Sequence, residues 1–380
     1  MPSFFLAWQY LRRRRLQAAV MIAGVTLALF LPLATHWLVN AFDDAIGARA
    51  AATPLVLGAK GSRFDLVLHG LYFRAEVDGN LTQGDLAELN EKRGNDLTFA
   101  IPIHRRFSAR EQPVVGTSLD YFAFRELQMA EGDSLALLGD CVLGASAAAS
   151  LDLHPGDKLK TDRDNLFDLA GEYPVQLNIT GVLAPSGTAD DEAVFIDVKT
   201  SWIIAGIGHG HDENASTAAS AKLVKTFLNI TTDNIFSFHF HGEPESYPLT
   251  AILIAPRNPK AMALIRNDYA QHQRLQVLKP PKVVDEMMGM VLRVRQFLDA
   301  NYAFVATTTA LLLALIVALS RRLRAREMET MFLLGCSRGT LFALQAAELA
   351  MIFAAATALA LAGAWASVAW ARDYLNTLTG

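Results

Sequence analysis

The chain has 380 residues, 52% of them apolar, and a formal net charge of −4. That length holds two or three domains, and the apolar content exceeds the globular norm. The small net charge excludes a nucleic-acid partner of the usual basic kind.

The first element is a membrane helix. Residues 16–38, "LQAAVMIAGVTLALFLPLATHWL", form an apolar run of about 20 or more residues, enough to cross a bilayer as a helix. Arg12, Arg13, Arg14 and Arg15 precede it and place residues 1–15 in the cytoplasm by the positive-inside rule. A cleaved signal peptide is the alternative, with "RRRR" as its charged region and "ARA" at 48–50 as its cleavage site. Signal h-regions span only about 7–15 residues, so the run reads as a retained anchor.

Residues 39–297 read as one large soluble segment of mixed α+β character, with two lobes and an insertion at about 130–245. "TPLVLGAKGSRFDLVLHGLYF" (53–73) is a β-like run, a glycine-rich turn and a short periodic segment. "LTQGDLAELNEK" (81–92) opens on a Thr/Gln cap region and carries helical spacing at Leu86 and Leu89. "DLTFAIPI" and "EQPVVGTSLDYFAF" read as strand, turn and strand. "YPVQLNITGVLAP" (173–185) alternates with period two. "EAVFIDVKTSWIIAGI" (192–207) is a strand feeding a helix. "YPLTAILIAP" (247–256) is a buried strand, and "PKAMALIRNDYAQHQ" (259–273) a helix opened by Pro259.

Two patches in this segment hold four of the nine histidines. "IIAGIGHGHDENAST" carries His209 and His211 in a glycine loop, and "FSFHFHGEPESYP" repeats the H-x-H spacing at His239 and His241. On a strand, residues i and i+2 share a face, so His239 and His241 point one way with Ser237. Phe236, Phe238 and Phe240 point the other. Zinc or a similar borderline metal takes imidazole nitrogen and carboxylate, and Asp212, Glu213, Asp233 and Glu243 lie nearby in sequence. The candidate metal set is His209, His211, His239, His241, Asp212 and Glu213. A solvated strand face beside a polar loop accounts for the same residues without a metal, and nothing in the sequence forces the patches together. His36, His69, His104, His154 and His272 are isolated and read as structural or exposed.

The stretch "PKVVDEMMGMVLRVRQFLDANY" (281–302) reads as one helix running into a second apolar span, 298–320. Arg321, Arg322, Arg324 and Arg326 follow it and mark the cytoplasmic side. Residues 39–297 then lie outside the cytoplasm. Residues 321–345 form a charged helix ending near Gly335, with a turn at "GCSRG". A third run, 346–371, contains Glu348 and leaves 372–380 outside. Its small residues Ala354, Ala355, Ala358, Ala362 and Gly363 permit close helix packing. Cys141 and Cys336 fall on opposite sides of the membrane in this topology, so they do not pair. The expectation is an α-helical membrane protein with a large mixed α+β extracytoplasmic domain and three transmembrane helices.

An amphipathic element on the cytoplasmic face suits docking into a groove of a soluble partner. In the family that this arrangement resembles, the segment after the second span carries basic residues, a Glu, then "LGAS(R)" and a further Glu. The matching residues here are Arg324, Arg326, Glu327, Glu329, Leu334, Gly335, Cys336, Ser337, Arg338 and Glu348. The chain thereby resembles the FtsX-type (type VII) ABC permeases, the family of the macrolide-exporter and lipoprotein-release transporters. "LGAKGS" soon after the first span is similar to that family too. The paired H-x-H motifs resemble a zinc-associated branch of such permeases. One departure is the span count, since family members normally have four.

The resemblance implies a non-catalytic permease subunit of the bacterial inner membrane, with its large domain in the periplasm. It implies a separate cytoplasmic ABC ATPase and a second permease copy as partners. A periplasmic adaptor or lipoprotein and membrane lipid complete the set. ATP enters only through the partner, and closure of that ATPase moves the periplasmic domain (mechanotransmission). The ATPase-coupling residues implied are Arg324, Arg326, Glu327, Glu329, Gly335, Ser337, Arg338 and Glu348. Independently, no G-x-x-x-x-G-K-[ST] occurs, so the sequence carries no phosphate-cradling loop of that kind. No cofactor is expected to be bound directly, the candidate zinc apart. The alternative function is a regulatory or signalling module in which the same movement switches an external enzyme or reports a bound metal.

Overall fold

The computed structural model describes residues 2–13, 15–162, 174–210, 228–323, 329–330, 332–333, 335 and 337–378. It divides into two compact units, one of Met1–Asp44 with Met288–Leu375, the other of Ala45–Met287 with Asn376–Gly380.

The larger unit is built on one mixed sheet. Its strands run in the order 228–229, 175–183, 140–143, 194–197, 112–117, 97–109, 251–256, 55–59 and 275–278; strands 129–132 and 158–160 pair with Val175–Leu183. Strand Leu97–Ala109 is the long member. One end pairs antiparallel with Ala251–Pro256 and the other with Gln112–Thr117, across a register shift between Arg105 and Ser108. Parallel pairings join 112–117 to 194–197 and 140–143 to 175–183.

Two apolar clusters pack on this sheet. One gathers Leu55, Leu57, Leu86, Leu89, Trp202 and Ile254; the other gathers Val114, Cys141, Leu143, Leu177, Ile196 and Ile203. Cys141 is fully buried, and burial raises its thiol pKa well above the ordinary range.

Local sequence explains the helices of this unit. Thr82 and Asp85 form a reciprocal capping box at the start of Gln83–Arg93, which satisfies two otherwise orphaned N–H groups. Asn258 caps Pro259–Asp268, with Pro259 at a first-turn position where its missing N–H is harmless. Asp197 caps Val198–Ile204, directly after strand Val194–Asp197. "SLDYFAF", expected within a strand–turn–strand unit, instead holds the short helix Asp120–Phe124, whose Tyr121 and Phe122 face the core.

The smaller unit is helical. Two helices among the described residues are long and apolar enough to cross a membrane, Ala18–Ala51 and Arg338–Ala371. Of the three spans expected, 298–320 is not among these two. The 298–320 run is helical throughout, as the second half of Pro280–Leu323, but many of its side chains lie outside the described residues. The first helix extends well past residue 38, running Arg15–Ala51 with Pro32 inside it. Thr26 Oγ1 donates to the Ala356 carbonyl at 3.4 Å, and the Thr35 and Tyr302 hydroxyls are 2.9 Å apart. Ala356, Ala360 and Ala364 form the buried stripe of the last helix. Of the small residues anticipated for packing, Gly363 meets the Phe30 ring, while Ala354, Ala358 and Ala362 stay exposed.

Candidate functional site

The two histidine patches come together. Strand Gly208–His209 pairs antiparallel with strand His239–Phe240, placing Gly208 opposite Phe240 and His209 opposite His239. The His241 N–H extends the pairing by donating to the Ile207 carbonyl at 2.9 Å. His239 and His241 share a strand face, and His209 faces them from across the ladder.

Side-chain packing fixes this register. Phe238 and Phe240 turn inward onto the apolar clusters, and the Phe240 ring lies 6.4 Å from Trp202 and 6.0 Å from Tyr247. Glycine is needed opposite these rings. A Cβ at Gly208 would sit 2.8 Å from the Phe240 ring, and one at Gly210 would sit 2.7 Å from the Phe238 ring. The alternation G-H-G facing F-H-F thus puts small against large inside and imidazole against imidazole outside. Phe236 departs from the face it is expected to share with Phe238 and Phe240. It sits in the 3-10 turn Ile235–Ser237, outside strand periodicity, and is 95% exposed.

The result is a triangle of imidazoles. Ring centroids are 4.6 Å apart for His209 and His239, 4.7 Å for His209 and His241, and 4.7 Å for His239 and His241. One ring nitrogen from each lies within 4.8 Å of the others. His209 and His241 are exposed and His239 is half-buried. His239 Nδ1 lies 3.3 Å from the Ser237 carbonyl. Since a carbonyl only accepts, that contact assigns the proton to Nδ1 and the lone pair to Nε2. His211, Asp212 and Glu213 lie outside the described residues. Asp233 and Glu243 are not in the cluster.

The other histidines have structural partners. His104 Nδ1 lies 2.8 Å from Ser201 Oγ, which donates to the Val198 carbonyl. Both His104 and His69 are buried, and desolvation lowers each pKa to about 4. His272 Nδ1 accepts the Leu275 N–H at 3.0 Å. His36 Nε2 is 3.2 Å from Asn40 Nδ2, and His154 is exposed, 3.7 Å from Glu131.

Of the coupling residues, Arg324, Arg326 and Glu327 lie outside the described residues, as do Leu334 and Cys336. Gly335 adopts φ 98°, a left-handed conformation that glycine alone takes without strain. Ser337 Oγ accepts the Thr340 N–H at 3.1 Å and so caps helix Arg338–Leu378. The Arg338 guanidinium lies 5.6 Å from the Phe332 ring centroid. Glu329 is exposed and Glu348 half-buried.

Sequence reasoning missed a buried ionic cluster. Arg49, in the last turn of Arg15–Ala51, donates to Asp190 Oδ2 at 2.6 Å and Oδ1 at 2.7 Å, and to Tyr121 Oη at 2.9 Å. Tyr121 in turn donates to Asp190 Oδ1 at 2.5 Å. The Arg49 Nε–H donates to the Leu71 carbonyl. Burial alone would raise the Asp190 pKa, but Arg49 and Tyr121 outweigh it and hold the carboxyl below its ordinary range. Burial also raises the Tyr121 pKa strongly.

Residues 18–232 match the family described as "MacB-like periplasmic core domain". The chain belongs to that family. It is accordingly a permease of the MacB/FtsX type, membrane-anchored, with its sheet domain in the periplasm. The periplasmic region of MacB from Actinobacillus actinomycetemcomitans is similar at 10% identity and a TM-score of 0.37. That match covers 63% of this chain and 95% of the other. The extracellular domain of the noncanonic ABC-type transporter YknZ from Gram-positive bacteria is similar at 10% identity and a TM-score of 0.34. There the coverage is 59% of this chain and 98% of the other. Among curated proteins, none matches the chain.

Proposed function

We propose that this chain is the permease subunit of an ABC transporter that converts ATP hydrolysis by a separate cytoplasmic ATPase into movement of its periplasmic domain. The match over residues 18–232 carries the reading, because it spans the first apolar run and most of the sheet domain. Two copies assemble in the bacterial inner membrane with the ATPase beneath them. The 298–320 run serves as a further span, and the C-terminus lies outside. A periplasmic adaptor or lipoprotein is the downstream partner.

The turn around Gly335, Ser337 and Arg338 is the part that meets the ATPase. Gly335 takes a left-handed conformation, Ser337 starts the next helix, and Arg338 carries a charge in its first turn. These three features suit a short element seated in a groove of a soluble partner. Arg49 supplies the other end of the mechanism, fixing the last turn of the Arg15–Ala51 helix to the periplasmic fold.

The test is ATP hydrolysis by the co-purified ATPase with and without the permease in lipid. The wild-type permease is expected to stimulate hydrolysis. Arg338→Glu is expected to return it to the basal rate while thermal unfolding of the periplasmic domain stays unchanged. Full stimulation by Arg338→Glu would overturn the docking assignment.

A further inference from the structure

We propose that His209, His239 and His241 bind one divalent cation of the zinc class through their three imidazole nitrogens. The proposal rests on the strand pair itself and not on the permease reading. His209 and the His239–His241 segment are held by the same ladder, so three donors converge although they are some thirty residues apart in sequence.

Ligand chemistry narrows the cation. Calcium and magnesium take oxygen donors, whereas imidazole suits zinc, copper and nickel. No thiolate joins the described cluster, which turns the set away from soft monovalent copper. Tetrahedral zinc with Zn–N of about 2.0–2.1 Å needs its nitrogens ~3.4 Å apart. The present separations reach at most 4.8 Å. Binding one ion therefore draws these nitrogens together by at most about 1.4 Å.

The surroundings are those of a prepared site. The Ser237 carbonyl beside His239 Nδ1 accepts that ring's N–H and leaves the lone pair on Nε2, the outer contact that metal-bound histidines regularly make. Inward packing of Phe238 and Phe240 against Gly210 and Gly208 locks the register that brings His209 opposite His239. Among the described residues three imidazoles converge, and one more ligand of any kind completes a tetrahedron. Joined to the permease reading, this makes a borderline divalent cation the cargo or trigger of the periplasmic domain.

The experiment uses the full chain in detergent micelles, purified without a histidine tag. Zinc chloride is titrated against a chromophoric chelator, and cobalt(II) is added separately as a visible-absorption probe of four-coordinate nitrogen ligation. The expected result is one zinc per chain and a cobalt band in the wild type. His209→Ala and His239→Ala should each weaken binding roughly a hundredfold or more, beyond the 10–100-fold typical of outer-shell changes. His154→Ala should bind as wild type. His209→Gln and His239→Gln, which keep the strand polar and are checked for an unchanged melting temperature in EDTA, should lose the same binding. Absence of stoichiometric binding in the wild type, or wild-type affinity in the folded His209 and His239 variants, would overturn the site. Equilibrium binding needs no ATPase, so this failure is separate from failure of the permease reading.

Discussion

Arg49 clasps Asp190 through two parallel N–H···O bonds of 2.6 and 2.7 Å, with both side chains almost entirely buried. The pair joins the last turn of the first long helix to the 3-10 turn Ala189–Glu192, with Tyr121 closing the ring of hydrogen bonds. Bidentate geometry and a third partner satisfy most of the polar atoms, which is the condition under which a buried ion pair offsets its desolvation.

Breaking the clasp from one side should be costly. Arg49→Met leaves a buried carboxylate without its cation and is expected to destabilise the periplasmic domain by about 3–5 kcal/mol. Arg49→Met combined with Asp190→Leu removes both charges and should cost much less than the sum of the single changes. Urea unfolding of the purified variants measures both, and strict additivity would show that the pair does not act as a unit.

Acid should weaken the domain in two stages. His69 and His104 titrate at about 4 in the folded state because burial disfavours their charged forms. The unfolded chain takes up those protons near the ordinary imidazole pKa of about 6.5. Stability is therefore complete above pH ~6.5 and falls as pH drops towards ~4, by up to roughly 3 kcal/mol per histidine. Asp190 acts lower down. Its folded pKa is depressed, so its contribution holds above about 3.9 and is lost below that as the folded carboxyl protonates. Melting temperatures from pH 7.5 to 3.5 should show the first loss, and His104→Gln should shrink it.

The histidine hairpin should be sensitive to a single methyl group. Gly208→Ala places a Cβ against the Phe240 ring, and relieving such overpacking typically costs about 1–3 kcal/mol. Zinc affinity should fall while the main sheet stays folded, since the 208–209 and 239–240 strands form a separate two-stranded sheet. Zinc titration alongside the overall melting temperature checks this. Unchanged affinity would mean that the pairing does not position the ligands.

Elements whose signals are local could be read from the sequence. Period-two alternation marks Val175–Leu183, Asn258 with Pro259 marks a helix start, and a strand feeding a helix is evident around Asp197. Non-local features could not be read this way. Arg49 and Asp190 are 141 residues apart, and neither has a neighbour in sequence that announces the other. The meeting of the histidine patches had a signal that went unused. Read antiparallel, G-H-G at 208–210 complements F-H-F at 238–240, with glycine facing phenylalanine and histidine facing histidine. Counting each patch alone hides that complementarity, because register belongs to the pair.

The central claim is that a partner's ATP moves the periplasmic domains. A spin label at Glu91→Cys reports it, because Glu91 is exposed on helix Gln83–Arg93. A Cys336→Ser background leaves only the buried, unreactive Cys141. Electron–electron distance measurement between the two copies of the dimer, bound to its ATPase, compares nucleotide-free and ATP-trapped states. ATP is expected to shift the distance distribution between labels. An identical distribution in both states, with the ATPase bound and active, would contradict it.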